Sequence, residues 1–298
     1  MISESVARKL SCPSKYAEVN GVKMHYREAG SGNAILLLHG VPTSSYIWRN
    51  VIPYLAPLGR CIAPDLIGFG LSDKPNIRYS IQDHLAYLEK FIEVLNLKNI
   101  TLIMHGFGSI IGLHYAMQHE KNCQGIAFYE AFLRSFNDDI SLPFQEQLIE
   151  FQNQTDMDPL IADGASFVDK MMPQSVMRQL THEEMQQYRE PFTQAGASKP
   201  ILQYFKDLSP ENGKSEAEKI ITAYSTQLTH STLPKLMLYS VPGFITTIAT
   251  VIWAKENLPC LEIVEIGEEL HLGQETYPKL IGETISVWLQ SIEQNKRG

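Results

Sequence analysis

The sequence predicts an α/β fold, a doubly wound and mostly parallel sheet carrying a helical insertion. Three observations predict it: short unalternated apolar runs, helical periodicity between them, and one long stretch in which strand signals vanish. Ile35-Leu36-Leu37-Leu38 is such a run. Apolar residues without alternation suit a strand covered on both faces, as in a parallel sheet with helices above and below. Ile100–Met104 and Gly125–Phe128 read the same way. Between them Ile81, Leu85, Leu88, Ile92 and Leu95 recur at spacings of three and four, which predicts a helix over 81–95. Ahead of the first apolar run, the strand-like pieces Lys23–Arg27 and Ala34–Leu38 flank the Gly/Asn cluster of residues 29–33, read as a hairpin turn joining them. Alternation of strand and helix up to about residue 130 implies right-handed crossovers, and ligands in such sheets bind at the carboxyl ends of the strands.

From Arg134 to Gly213 polar and Met-rich helical segments follow one another, with breaks expected at Pro143, Pro159, Pro173, Pro191 and Pro200. Residues 1–133 and 214–298 are therefore assigned to the core domain and 134–213 to a helical cap. Phe144, Phe151, Phe167, Met171, Met172 and Met177 are expected to form the core of that insertion rather than to carry a specific role. The sheet pattern resumes at Lys235–Tyr239 and Cys260–Val264, and an amphipathic helix over Pro278–Ile292 ends the pattern.

Composition narrows the function classes. With 44% hydrophobic and 19% charged residues among 298, the chain can bury a sizeable core and is not a solvating or low-complexity sequence. A net charge of -8, with no Lys/Arg stripe, argues against a nucleic-acid partner. Cys12, Cys61, Cys123 and Cys260 lie far apart, which suggests neither a zinc site nor a disulfide framework and fits a reducing cytoplasm. No window approaches the roughly 18 to 20 apolar residues that span a bilayer, and Met1–Asn20 lacks the basic and apolar pattern of a leader, so no membrane partner is expected. The expected partner is a small-molecule substrate, with no metal and no cofactor.

Leu102–Ser109 has the form of an apolar strand entering a tight glycine-bearing turn, followed by a helix over Ile110–His119. That is the setting of a nucleophile elbow, a turn that aims its middle residue into a pocket. The middle residue here is Gly106, which has no side chain and can form no ester intermediate. Ser109 sits one helical turn too far in to replace it, since a G-x-S-x-G elbow would need serine at 106. His39 and His105 are expected to hold the neighbouring loops rather than to react.

Three strings then carry a specific resemblance. The segment His39 to Asn50, the segment Asp65 to Gly70 with Ser72-Asp73-Lys74, and Tyr188-Arg189-Glu190-Pro191-Phe192 resemble, in this order, the motifs of haloalkane dehalogenases. The resemblance spans nearly the whole chain and implies an α/β-hydrolase fold. It is nearest the branch whose triad is Asp, Glu and His, which also contains the cofactor-independent coelenterazine luciferases. Carried across residue by residue, it places the acid at Glu130 and the base at His271. The nucleophilic aspartate would sit at Gly106, and the two halide-holding residues, an Asn and a Trp, at Val41 and Phe107. Valine has no side-chain donor and phenylalanine lacks the indole N–H. What the resemblance leaves is a His271–Glu130 general base, acting near neutral pH, and an oxyanion hole from the amides of Phe107 and Val41. The expectation is non-covalent chemistry on a small apolar or mixed molecule: elimination, cyclisation, rearrangement or hydrolysis by activated water. A catalytically inactive binder and a nucleophile-removed or lapsed dehalogenase are the alternatives.

Overall fold

The computed structural model describes residues 12–134, 144–146, 148, 163–209 and 215–295. Eight strands, β1 (Ser14–Val19), β2 (Val22–Ala29), β3 (Ala34–Leu38), β4 (Arg60–Pro64), β5 (Ile100–Gly106), β6 (Cys123–Ala131), β7 (Lys235–Pro242) and β8 (Leu261–Glu269), form one sheet. Its order is β1-β2-β4-β3-β5-β6-β7-β8. The six strands from β4 to β8 run parallel, while β2 is antiparallel to both β1 and β4. Every residue of β3 is buried, as its unalternated sequence requires.

The predicted hairpin between residues 23–27 and 34–38 is corrected by this order: β2 pairs with β1 and β4, not with β3. The hairpin is instead β1–β2, turned by Asn20 and Gly21, both at positive φ (52° and 79°). Asn-Gly is the sequence best suited to a two-residue turn whose central residues are left-handed.

The long helices are α1 (Ile81–Val94), α2 (Phe107–Gln118), α3 (Gly164–Gln174), α4 (His182–Arg189), α5 (Lys199–Leu208), α6 (Glu216–Leu228), α7 (Ile248–Asn257) and α8 (Pro278–Asn295). A capping box starts α1: Ser80 accepts from the Asp83 amide and Asp83 accepts from that of Ser80. Apolar almost all round, α2 is buried along most of its length. Gly112 lets it approach the sheet, since a Cβ there would lie 2.4 Å from Met104 Sδ.

Between β6 and β7 the described residues contain helices and no strand. Three of the expected breaks fall within helical elements: Pro191 and Pro200 stand at the starts of helical turns, where a missing N–H costs nothing, and Pro173 lies inside the last turn of α3. Phe144, Phe167 and Met172 are buried and Met171 is half-buried. Met177 departs from expectation at 56% exposure, because α3 has already ended and the chain uses the Met177 amide instead of its side chain. Pro143, Phe151 and Pro159 lie outside the described residues.

An ion-pair network ties this segment to the sheet domain. Arg49 holds both Glu275 oxygens (2.5 and 2.8 Å) and Glu184 (2.9 Å), Arg178 bridges the same two carboxylates, and the Tyr188 hydroxyl donates to Glu275. No described helix is long and apolar enough to cross a membrane.

Candidate active site

Three loops meet at the carboxyl ends of β5, β6 and β8. Gly106 closes β5 and opens α2 at φ +51° and ψ -125°, a conformation that strains any residue with a Cβ. A Cβ built there would stand 3.2 Å from His271 Nε2, 3.3 Å from its Cε1 and 3.4 Å from Gly40 Cα, so position 106 aims directly at the imidazole. Ser109 fixes the turn from behind: its hydroxyl donates to the Gly106 carbonyl (2.7 Å) and accepts from the Phe132 amide (3.0 Å).

Glu130, near the end of β6, is fully buried and itself at positive φ (50°). Its Oε2 accepts from the amides of Phe244 (2.9 Å) and Ile245 (2.6 Å), and its Oε1 from Thr246 (3.3 Å). Oε2 also lies 3.1 Å from His271 Nδ1. All four neighbours are donors, which sets the imidazole tautomer with a proton on Nδ1 and leaves Nε2 facing Gly106.

The loop that carries His271 is held from both sides. The His271 and Leu272 amides donate to the Ser175 carbonyl (2.9 Å each), and Glu269 Oε1 accepts from the amides of Met177 (2.7 Å) and Leu270 (2.9 Å). From the sheet, His105 Nε2 donates to the His271 carbonyl at 2.8 Å, with the two rings 4.4 Å apart. His39 spends both nitrogens on backbone, Nδ1 donating to Gly40 O (2.8 Å) and Nε2 accepting from Leu66 N (3.0 Å). Both histidines therefore have the structural places expected of them.

Burial pushes the Glu130 carboxyl up to about 8, against the opposing pull of its three amides, and burial lowers His271 to about 3. Joined by one hydrogen bond, they titrate as a pair that keeps one shared proton between those two values. Burial thus leaves the His271 imidazole unprotonated, with Nε2 as a free base, through the neutral range. Burial, more than the neighbouring His271, holds His105 well below the usual imidazole range.

Val41 follows Gly40, and Phe107 is the first residue of α2, whose N–H has no acceptor within the helix. The Val41 amide makes no backbone hydrogen bond among the described residues. Aromatic rings pack around these residues: Phe244 lies 5.5 Å from His271, and Phe107 packs edge-on against His84 (5.1 Å) and Tyr204 (5.4 Å). The sequence did not reveal the amide cradle of Phe244–Thr246, the Ser175 carbonyl or Glu269. The one signal for the cradle is Pro242-Gly243, a turn dipeptide in which a Cβ on Gly243 would meet Thr246 O at 2.5 Å. Among the described residues no group of three or more His, Cys, Asp or Glu could hold a metal ion.

Comparison with known proteins agrees with this fold. Residues 33–259 match the model of the α/β hydrolase fold family. A haloalkane dehalogenase of Mesorhizobium japonicum is 35% identical over 274 residues, which cover 90% of this chain and 88% of that protein. The chain belongs to the haloalkane dehalogenase family of α/β hydrolases. A second family member, from Sphingobium indicum, is 34% identical over 286 residues, covering 93% of this chain and 95% of that one. The crystal structure of haloalkane dehalogenase DbeA from Bradyrhizobium elkani superposes with a TM-score of 0.89 at 33% identity, covering 95% of this chain and 99% of that structure.

Proposed function

We propose that this member of the haloalkane dehalogenase family is an enzyme in which Gly106 occupies the place of the nucleophile, and that it acts on a small apolar or mixed molecule without a covalent ester. His271 Nε2 is the general base, Glu130 orients it, and the amides of Phe107 and Val41 stabilise developing negative charge. The observation that carries this reading is the direction of Gly106: the place of a Cβ lies 3.2 Å from an Nε2 whose ring is tied to Glu130 through its other nitrogen. A substrate C–H or a water lodged there loses its proton to Nε2, and the electron pair left behind moves into elimination, cyclisation, rearrangement or attack on a carbonyl. Glu130 at the end of β6 supports placement in the branch with an Asp, Glu and His triad that includes coelenterazine luciferases. In the same proposal the helices between β6 and β7 act as a cap, and the free cysteines suit a cytoplasmic protein.

The missing side chain at Gly106 also favours a second reading, a catalytically inactive protein that keeps the pocket to bind a ligand. A lapsed dehalogenase is the weaker alternative, because Val41 and Phe107 offer no side-chain N–H to a halide. Turnover of lactones, epoxides and acidic carbon compounds, compared between wild type and His271→Ala, separates the first two. A loss on the order of a hundred- to ten-thousand-fold in the variant is expected for a general base, and equal rates remove the enzyme reading for those substrates. Bromide release from short bromoalkanes after Gly106→Asp tests the third, which predicts recovery with that change alone.

A further inference from the structure

We propose that a cleft between β2 and the helical segment, lined by other residues than the candidate active site, binds a neutral polyhydroxylated molecule of the monosaccharide class. The cleft encloses about 380 Å³, within the range of about 300–1,000 Å³ usual for small-molecule sites. His25 and Arg27 line it, and because they stand two residues apart on β2 they share one face of that strand. Each keeps a buried nitrogen without a partner: Nε2 of His25, a residue only 1% exposed, and Nε of Arg27. Buried polar atoms of this kind call for partners.

The two nitrogens select the ligand, because they ask for opposite partners. A guanidinium N–H can only donate. His25 Nδ1 donates to Asp65 Oδ2 (2.7 Å), so Nε2 of the neutral ring can only accept. Hydroxyl groups meet both demands, accepting from Arg27 and donating to His25. A carboxylate or phosphate dianion has no proton for Nε2, and an ammonium has no lone pair for Arg27.

The rest of the lining repeats this mixture of donors and acceptors. Arg27 spends one N–H on the Cys12 carbonyl (3.3 Å) and Lys74 donates to the Gly70 carbonyl (3.0 Å), but neither forms an ion pair among the described residues. The Tyr46 hydroxyl likewise has no partner among them. Asp73 and Glu190 add acceptors, and the side-chain amides of Gln187 and Gln194 offer both roles. Two cations against these two carboxylates leave no net positive charge for an anion to neutralise. Asp65 is already spent on His25 and on the amides of Ser45 and Leu71. With Gln187, Glu190 and Gln194 on one side and β2 on the other, a bound polyol spans the helical segment and the sheet domain.

Backbone amide NMR of the wild-type protein, titrated with D-glucose, D-galactose and D-mannose and in parallel with inorganic phosphate and acetate, tests this. The expected result is that at least one sugar shifts the amide signals of Ser44, Leu71 and Gln187 saturably and binds at least tenfold more tightly than either anion. Arg27→Met keeps the apolar stem and removes the donors, and is expected to weaken that sugar at least tenfold. Should that variant not fold by circular dichroism, Gln194→Ala, at an exposed position, is titrated instead and a loss of at least threefold is expected. His271→Ala is expected to bind the sugar as wild type does, which keeps this site separate from the proposed base. The inference is overturned if none of the three sugars gives a saturable shift, if either anion binds as tightly as the best sugar, if the folded cleft variant binds undiminished, or if His271→Ala abolishes binding.

Discussion

Among the described residues two buried histidine–carboxylate pairs occur, and only one of them turns its far nitrogen towards Gly106. His25 Nδ1 lies 2.7 Å from Asp65 Oδ2, and Asp65 also accepts from the amides of Ser45 (2.7 Å) and Leu71 (2.8 Å). His271 Nδ1 lies 3.1 Å from Glu130, which accepts from three amides. In composition the pairs are nearly interchangeable. Burial works to raise both carboxyl groups, but at Asp65 the hydrogen bond and charge of His25 outweigh it and the group falls below the ordinary aspartate value, whereas at Glu130 burial prevails. The far nitrogens differ more. His25 Nε2 is buried without a partner, its ring meeting Tyr16 edge-on at 5.3 Å. A surface cleft of about 380 Å³ runs past this pair and is lined by Arg27, Tyr46 and Lys74, yet it lies on other loops than Gly106. An imidazole with an acidic partner is thus not by itself a site; what its second nitrogen faces decides.

The contrast is broken most directly at the structural pair. Asp65→Ala leaves His25 and two amides without an acceptor in the interior, and a loss of about 3–5 kcal/mol of unfolding free energy is expected in urea titration. His271→Ala, whose ring faces Gly106, is expected to lose less than half as much while removing turnover. Equal losses from the two would erase the distinction.

Gly106→Ala sharpens it at the next level of effect. The positive φ costs any side chain about 1–3 kcal/mol, and the new methyl would stand against Nε2. Gly32→Ala, at φ +104° with nothing within 4 Å of a built Cβ, carries backbone strain alone. Both variants are expected to melt earlier than wild type, and only Gly106→Ala to lose turnover.

The titration of the functional pair gives a third test. Glu130 is raised from 4.5 to about 8, so its contribution is present at low pH and is lost as pH rises towards 8. His271 is lowered from 6.5 to about 3, so its contribution is present above 6.5 and is lost as pH falls towards 3. Between 4.5 and 6.5 the two slopes cancel. Relative to the double variant Glu130→Gln/His271→Ala, wild type should hold a constant stability difference across that window and lose on the order of 1 kcal/mol per pH unit on either side of it. A difference that rises steadily from pH 6.5 to 8 would contradict the shared proton.

How much of this was legible in the sequence follows from what each part is made of. Gly106 was legible as the turn where an apolar strand enters a helix, whereas Glu130 and His271 came from the resemblance to haloalkane dehalogenases and not from any periodicity. The sheet order was not legible in its first strands: residues 29–33 have turn chemistry, but a turn-like string does not say which strands it pairs, and β1 with its exposed Tyr16 has no apolar run to announce it. β4 is five residues long and ends in Pro64, which hides it as well. Met177 was misjudged because methionine suits both a helix interior and a loop, and the pattern gave no sign that α3 stops at Gln174. The cradle around Glu130 consists of backbone N–H groups, which every residue but proline carries, so composition cannot point to it.

The smallest expected effect tests the support of the elbow rather than the pair itself. Ser109, one turn inside α2, donates to the Gly106 carbonyl and accepts from the Phe132 amide, linking the ends of β5 and β6 through a single hydroxyl. Its alanine variant removes one donor and one acceptor and is expected to lose about 1 kcal/mol of stability. Because the same hydroxyl holds Gly106 in its unusual conformation, turnover should fall along with stability. In the Asp65 region an equivalent small change, Ser72→Ala, breaks hydrogen bonds to the His25 amide and the Asp65 carbonyl at similar cost in stability. There turnover should not move, since Ser72 bonds only to the His25 and Asp65 backbone among the described side-chain contacts of that loop, and a fall of equal size in both variants would mean that the two pairs are coupled through the sheet.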